Sequence, residues 1–281
     1  MTHAKGQVVP PSDAFRSVFP GLKPLIGTIH LEPLPGAPQY RGAAMRDIID
    51  RAVTDALRYV EGGIDGLIVE NEGDIPFLKP DLVGPETVAA LAVATSAVIA
   101  AVNVPVGVFC LANATLQSLA VAKATGARFI RANQWANAYV ANEGIIEGAA
   151  AVTLRYRAAI QAENVKVLAD VHVKHGSHAI VADRTIAELT HDTEAFGADA
   201  LIATGQRTGD PTTAQEVLDI SSVASRPVLV GSGLNSDNAQ ELMQIADGAI
   251  VGSAMKEEGV WWNPVSVERT RCIVAEVDKV R

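Results

Sequence analysis

Residues 169–178, ADVHVKHGSH, place an aspartate, three histidines and a lysine within ten positions. Side chains alternate along an extended strand, so Asp170, His172 and Lys174 should share one face of LADVHVKH, with Val171 and Val173 on the other. A carboxylate beside an imidazole and an ammonium can set proton donors and acceptors near neutral pH, and desolvation lowers a lysine pKa. A structural ion pair closing a core is the plainer alternative. His172, His175 and His178 recur at intervals of three, but they straddle a strand end and a loop holding Gly176. The better metal candidate is therefore a divalent cation held across strands by Glu70, Asp170 and His172, and no other cofactor is suggested. His178 and His191 read as surface histidines.

Further polar residues close other apolar runs: His30 with Glu32, Glu70 with Asn71, Asn113, Arg131 with Asn133, and Thr204. Glu70 is a candidate general base, or one half of a salt bridge to Arg131 or Lys174. Asn71 could orient substrate hydroxyls, and Arg131 could hold a carboxylate or a phosphate. VLVGSGLNSDNAQEL contains Gly231, Ser232 and Gly233, and GAIVGSAMK contains Gly252 and Ser253. Glycines there let backbone N–H groups approach a ligand, and a following helix N-terminus favours an anion. The competing explanation is a pair of tight turns with serine caps.

Eight short apolar runs must position these residues: 24–30, 65–71, 104–113, 127–134, 165–173, 199–205, 227–233 and 247–253. Each is followed by a helix-like segment, which predicts a parallel sheet covered on both faces. Eight units in one chain of 281 residues predict a single (β/α)₈ TIM barrel. A doubly wound open sheet competes, but GTIHLEPLPG lacks the glycine pattern such a sheet usually carries after its first strand. The barrel should occupy 21–281, preceded by an N-terminal arm over 1–20. The segment MRDIIDRAVTDALRYVEGG predicts a helix with Ile48, Ile49, Ala52, Val53, Ala56, Leu57 and Val60 on one side, stopped by Gly62 and Gly63. NPVSVERTRCIVAEVDKV reads as the last helix. Barrel active sites lie at the C-terminal ends of the strands, where the polar residues above fall. Two long loops there could cover substrate: one holds Pro33, Pro35 and Pro38, the other Trp135 and Tyr139. ATGQRTGDPTT adds Gly205, Thr208 and Gly209 beside Thr204, with Thr212 or Thr213 capping a helix.

Composition narrows the function classes. With 23 Lys and Arg against 32 Asp and Glu, the net charge of −9 argues against nucleic acid as a partner. Cys110 and Cys272 form neither a disulfide framework nor a zinc pattern, so a cytoplasmic compartment is expected. Thr87 to Val102 is apolar but only 16 residues long, which suits a buried helix rather than a membrane span. A homo-oligomer is the expected assembly.

Several of these stretches carry a family resemblance. IGTIHLEPLPGAPQY, GLIVENEGDIPF, GARFIRAN, NEGIIEG, VKVLADVHVKH, ATGQRTGD, VLVGSG and ADGAIVGSAMKEEG resemble, in order, the BtpA/SgcQ family over about residues 17 to 275. The resemblance implies a barrel of the ribulose-phosphate-binding kind. It also implies two roles to weigh, since members occur among sugar-utilisation genes while the family is named for a photosystem I biogenesis factor. One departure stands out: where the pattern carries LRND after the third strand, this chain has Leu111, Ala112, Asn113 and Ala114.

Two readings follow. In the first, the chain is an isomerase, epimerase or lyase acting on a small phosphorylated sugar or related metabolite. Gly231, Ser232, Gly233, Gly252 and Ser253 would hold phosphate, while Asp170, His172, Lys174 and Glu70 would supply acid–base chemistry, with a Schiff base at Lys174 as a variant. His30, Asn71, Asn113, Arg131, Asn133 and Thr204 would bind the substrate. In the second, the chain is a non-enzymatic assembly factor that docks through Trp261 and Trp262.

Overall fold

Alternation along the eight apolar runs has a direct consequence in the computed structural model, which describes residues 11–205 and 212–281. Eight parallel strands close into a barrel in the order β1 (Leu25–His30), β2 (Gly66–Glu70), β3 (Val106–Phe109), β4 (Phe129–Ala132), β7 (Lys166–His172), β9 (Ala200–Ala203), β10 (Val228–Val230) and β11 (Gly248–Val251). The remaining strands, β5 (Ala138–Ala141), β6 (Gly144–Glu147) and β8 (Gly176–Ser177), form a separate small sheet. Helices α1 (Pro11–Arg16), α2 (Met45–Glu61), α3 (Pro85–Ala101), α4 (Thr115–Thr125), α5 (Ala150–Ala159), α6 (Ile186–Ala195), α7 (Ala214–Ser221), α8 (Ala239–Ile245) and α9 (Val267–Asp278) complete the chain.

Two apolar layers result. Outward residues such as Leu25, Leu67, Val167, Leu201, Val228 and Ala249 pack under the helices. Their inward neighbours Ile26, Ile68, Phe129, Leu168, Ile202, Leu229 and Ile250 fill the barrel. Phe15, Val18 and Phe19, in and just after α1, close the barrel floor against them. The close fit explains two strand glycines: a Cβ at Gly66 would lie 2.6 Å from the Phe19 ring, and one at Gly107 only 2.3 Å from Phe129.

The buried stripe of α2 differs from the predicted one. Ile48, Ala52, Asp55, Ala56 and Tyr59 face inward, whereas Leu57 is 49% and Val60 37% exposed. Asp55 is drawn in because it accepts the Val265 N–H at 2.8 Å and pairs with buried Lys256 at 3.5 Å. The apolar segment around Thr87–Val102 is α3, which packs on the barrel. No helix among the described residues is long and apolar enough to cross a membrane. Thr213, not Thr212, caps α7, accepting the Glu216 N–H. Thr212 is buried and donates to the Ser232 carbonyl.

Candidate active site

The inward side chains at the strand ends surround one cavity of about 920 Å³ at the C-terminal mouth. Parallel register sets its first layer: His30 stands opposite Glu70, and Glu70 opposite Phe109. His30 Nε2 lies 3.6 Å from Glu70 Oε2, while its Nδ1 is 2.9 Å from the Trp261 carbonyl. A carbonyl can only accept, so Nδ1 carries the hydrogen and Nε2 turns its lone pair toward the carboxyl. Burial and the charge of Lys256 hold the imidazole down at about 3. Burial pushes the Glu70 carboxyl up to about 8, against the pull of Arg131. This shift favours the protonated carboxyl, whereas the sequence suggested a general base at this position. Its Oε1 and the Thr28 Oγ1 are buried with no hydrogen-bond partner among the described residues.

The ADVHVKH strand behaves as predicted only as far as Asp170. A register shift between Asp170 and His172 breaks the alternation of β7. Asp170 points inward and is consumed there, accepting from Arg131 Nε and Nη2 at 3.0 and 3.1 Å and from Asn133 Nδ2 at 3.1 Å. His172 turns away from the cavity and stacks on His178, with ring centroids 3.7 Å apart. Burial, then the neighbouring imidazole, lowers it to about 4. Val173, expected on the outer face, lines the cavity beside Lys174. The shared face proposed for Asp170, His172 and Lys174 is thus corrected: the register shift turns His172 off the inner face, and Lys174, beyond the end of β7, reaches the cavity together with Val173. For the same reason the alternative metal set fails to converge, with Glu70 at the cavity, Asp170 bonded to Arg131 and His172 facing away. Among the described residues no acid, histidine and cysteine cluster could hold an ion.

Lys174 reaches the cavity and donates from Nζ to Ser232 Oγ at 3.2 Å. Burial, followed by the charge of Arg131, lowers its ammonium to about 8. Thr204, expected to bind substrate, is instead a fastener. Its Oγ1 accepts the Lys174 N–H at 3.0 Å and donates to the His172 carbonyl at 3.2 Å, which holds the bulged strand end in place. Thr208 and Gly209 lie outside the described residues.

Gly231, Ser232, Gly233, Gly252 and Ser253 all line the cavity. Two of these glycines are also demanded by packing: a Cβ at Gly231 would stand 2.3 Å from Ile202, and one at Gly252 2.9 Å from Thr28 Oγ1. The bare Gly252 backbone packs closely against the Thr28 hydroxyl.

Two asparagines expected to bind substrate are spent on the scaffold. Asn71 accepts the Leu111 N–H and donates to Asp74. Asn113 exchanges hydrogen bonds with the Gln134 backbone. Arg131 and Asn133 do line the cavity, although both are tied to Asp170. Of the residues that replace the expected LRND pattern, Ala112 lines the cavity and Ala114 is buried in the core.

Glu72, which sequence reasoning passed over, also lines the cavity, and burial raises its carboxyl to about 7. Glu72 opens a short 3-10 turn, Glu72–Asp74, just past the end of β2, so strand alternation gave no signal for it beyond an acidic residue at a strand end. The loop carrying Tyr139 forms the β5–β6 hairpin, and β8, from the loop after β7, adds to its edge. Tyr139, Asn142 and Glu143 hang over the cavity. Trp261 packs edge-on against His30 at 5.7 Å, so of the two tryptophans only Trp262 is exposed, at 59%.

Comparison with known proteins agrees with this architecture. The chain is 42% identical over 261 residues to an uncharacterized protein of Pyrococcus abyssi, covering 93% of this chain and 98% of the relative. It is 37% identical over 248 residues to the photosystem I biogenesis protein BtpA of Synechocystis, covering 88% and 85%. An uncharacterized mitochondrial protein of Caenorhabditis elegans is 36% identical, covering 92% and 95%. Among solved structures, tryptophan synthase of Mycobacterium tuberculosis superposes with a TM-score of 0.59 at 19% identity, covering 96% and 98%. Thiamine phosphate pyrophosphorylase of Pyrococcus furiosus gives 0.53 at 18%, covering 92% and 96%. These likenesses show a shared TIM-barrel fold. The model of the BtpA family matches residues 21–279, and with the relatives above it establishes that the chain belongs to the BtpA family.

Proposed function

We propose that the chain is an enzyme performing acid–base chemistry on a small phosphorylated metabolite, in the manner of an isomerase or lyase. The observation that carries the reading is one cavity that brings the buried Lys174 and Glu70 beside Gly231–Ser232–Gly233 and Gly252–Ser253, which we read as an anion cradle, with burial lowering the ammonium and raising the carboxyl toward 8. Groups of opposite type poised close to neutral pH can give and take a proton within one turnover. In this reading Lys174 bridges the two halves: it contacts Ser232 and, when neutral, accepts a proton or adds to a carbonyl. Glu70 donates from its protonated form, with the His30 Nε2 lone pair beside it ready to accept. Arg131, Asn133 and Asp170 form the rigid floor of the site. Distant structural likenesses to enzymes whose names include phosphorylated compounds agree with this reading but do not decide the reaction.

The test works with the substrate still unidentified. Thermal-shift screening against phosphorylated sugars and acids, with and without divalent cations, would find ligands, because binding to the native state raises Tm. Each hit is then incubated in D₂O and followed by NMR for hydrogen exchange at carbon or for product. Glu70→Gln and Lys174→Gln are expected to slow exchange about 10²- to 10⁴-fold. Exchange that persists undiminished in both variants would rule out the assignment.

A second reading, as an assembly factor, draws on the name of the Synechocystis relative. The feature available to it is the exposed Trp262. A folded protein that shows no shift with any phosphorylated compound would favour it.

A further inference from the structure

The cavity has two chemically unlike sides. The glycine and serine backbone of the β10 and β11 loops forms one side. In the order of the barrel strands, β10 stands four places from β3, directly across the mouth. The wall there is made by Phe109 at the end of β3 and Leu111 and Ala112 after it, with Ile75 and Phe77 from the loop after β2. Three polar side chains behind this wall are already bonded within the scaffold, while Glu72 lines the cavity beside Glu70, toward its middle. Asn71 is taken by Leu111 N–H and Asp74, Asn113 by Gln134, and Asp170 by Arg131 and Asn133. Arg131 in turn lies 5.3 Å over the Phe109 ring. Between the two sides, the Glu70 Oε1 and Thr28 Oγ1 atoms are buried without a partner among the described residues, and both residues line the cavity. Ile75, meanwhile, is held 41% exposed at the mouth, where a ligand would cover it.

A polyol phosphate would set its distal hydroxyls against Phe109, Leu111, Ala112, Ile75 and Phe77, where they lose water without gaining a partner. From this arrangement we infer that the ligand is a phosphomonoester with one or two polar functions near its middle and a planar, largely apolar group at its far end. The inference rests on the phosphate reading above and narrows the substrate class within it. The phosphate meets Ser232, Gly233 and Lys174. The central polar functions satisfy Glu70 and Thr28. The apolar group covers Phe109, Leu111 and Ile75. The cavity, at about 920 Å³, accommodates such a molecule and would leave much of its space to water around a three-carbon phosphate.

Isothermal titration calorimetry of the whole protein with inorganic phosphate, ribose 5-phosphate and 1-naphthyl phosphate tests the inference. The expected result is 1-naphthyl phosphate binding at least about tenfold tighter than ribose 5-phosphate, in competition with inorganic phosphate. Leu111→Ser and Ile75→Ser should each cut that preference several-fold while leaving inorganic phosphate affinity unchanged, which also confirms that the variants are folded. Equal or tighter binding of ribose 5-phosphate, or a naphthyl preference indifferent to both variants, overturns the inference alone. Failure of inorganic phosphate and both esters to bind overturns the phosphate reading together with it.

Discussion

At the scale of single residues, the site depends on carboxyl groups kept away from water. Glu70 is 4% exposed, and its value rises from 4.5 to about 8. Because the folded value lies above the unfolded one, the native state keeps a proton that the unfolded chain releases. That contribution is complete below about pH 4.5 and is lost as pH rises through about 8. Glu70→Gln is neutral at every pH and should flatten this slope. In urea unfolding the variant should be more stable than wild type at pH 9, by ~1–3 kcal/mol, with the difference shrinking toward pH 5. A difference that does not vary with pH would show that Glu70 is ionised in the native protein. The residue types at this site were legible in the sequence. The partner of each was not, because Asp170 finds Arg131 and Asn133 only when β7 lies against β4.

Elements decide what the residues can reach. The bulge in β7 sends His172 outward and Val173 inward, and no alternation pattern signals an inserted residue. The β5–β6 hairpin left a fainter mark, read in the sequence only as a long loop. Its strands are four residues each, with Tyr139 and Ile146 buried while Val140 and Ile145 are exposed. Strands so short carry too little alternation to be told from loop by pattern alone. At the other end of the barrel, α1 and the residues after it supply the floor. Phe19, 3% exposed, touches Phe15 and Phe129 with centroid separations of 5.2 and 5.5 Å. Phe19→Ala should cost ~3–5 kcal/mol in urea unfolding, because the rigid barrel cannot collapse into the space left. A loss under ~1 kcal/mol would mean that this segment is not part of the folded core.

Across the whole molecule, closure joins the two ends of the chain. β1 pairs with β11, and Arg281 meets Asp65 while Lys23 bonds to the Ala246 carbonyl. Helix α9 covers this seam with Thr270, Ile273 and Val277, and Gly62 lets Thr270 approach closely. Each buried aliphatic side chain is worth ~1.5–3 kcal/mol, against a net stability of only ~5–15 kcal/mol for a typical domain. Truncation after Ser266 should therefore abolish the cooperative thermal transition seen by circular dichroism. Retention of a sharp transition would show that the barrel closes without its last helix. Sequence alone determined the repeating strand and helix order, the number of units and the polar or glycine endings of the strands, because periodicity and turn chemistry are local properties. Only the tertiary structure decided which polar side chains face the cavity and which are spent on one another. Bonds such as Asn113 to Gln134, Arg131 to Asp170 and Lys174 to Ser232 join residues 21 to 58 positions apart, and their pairing is set by strand register, one bulge and the competition of buried groups for few partners.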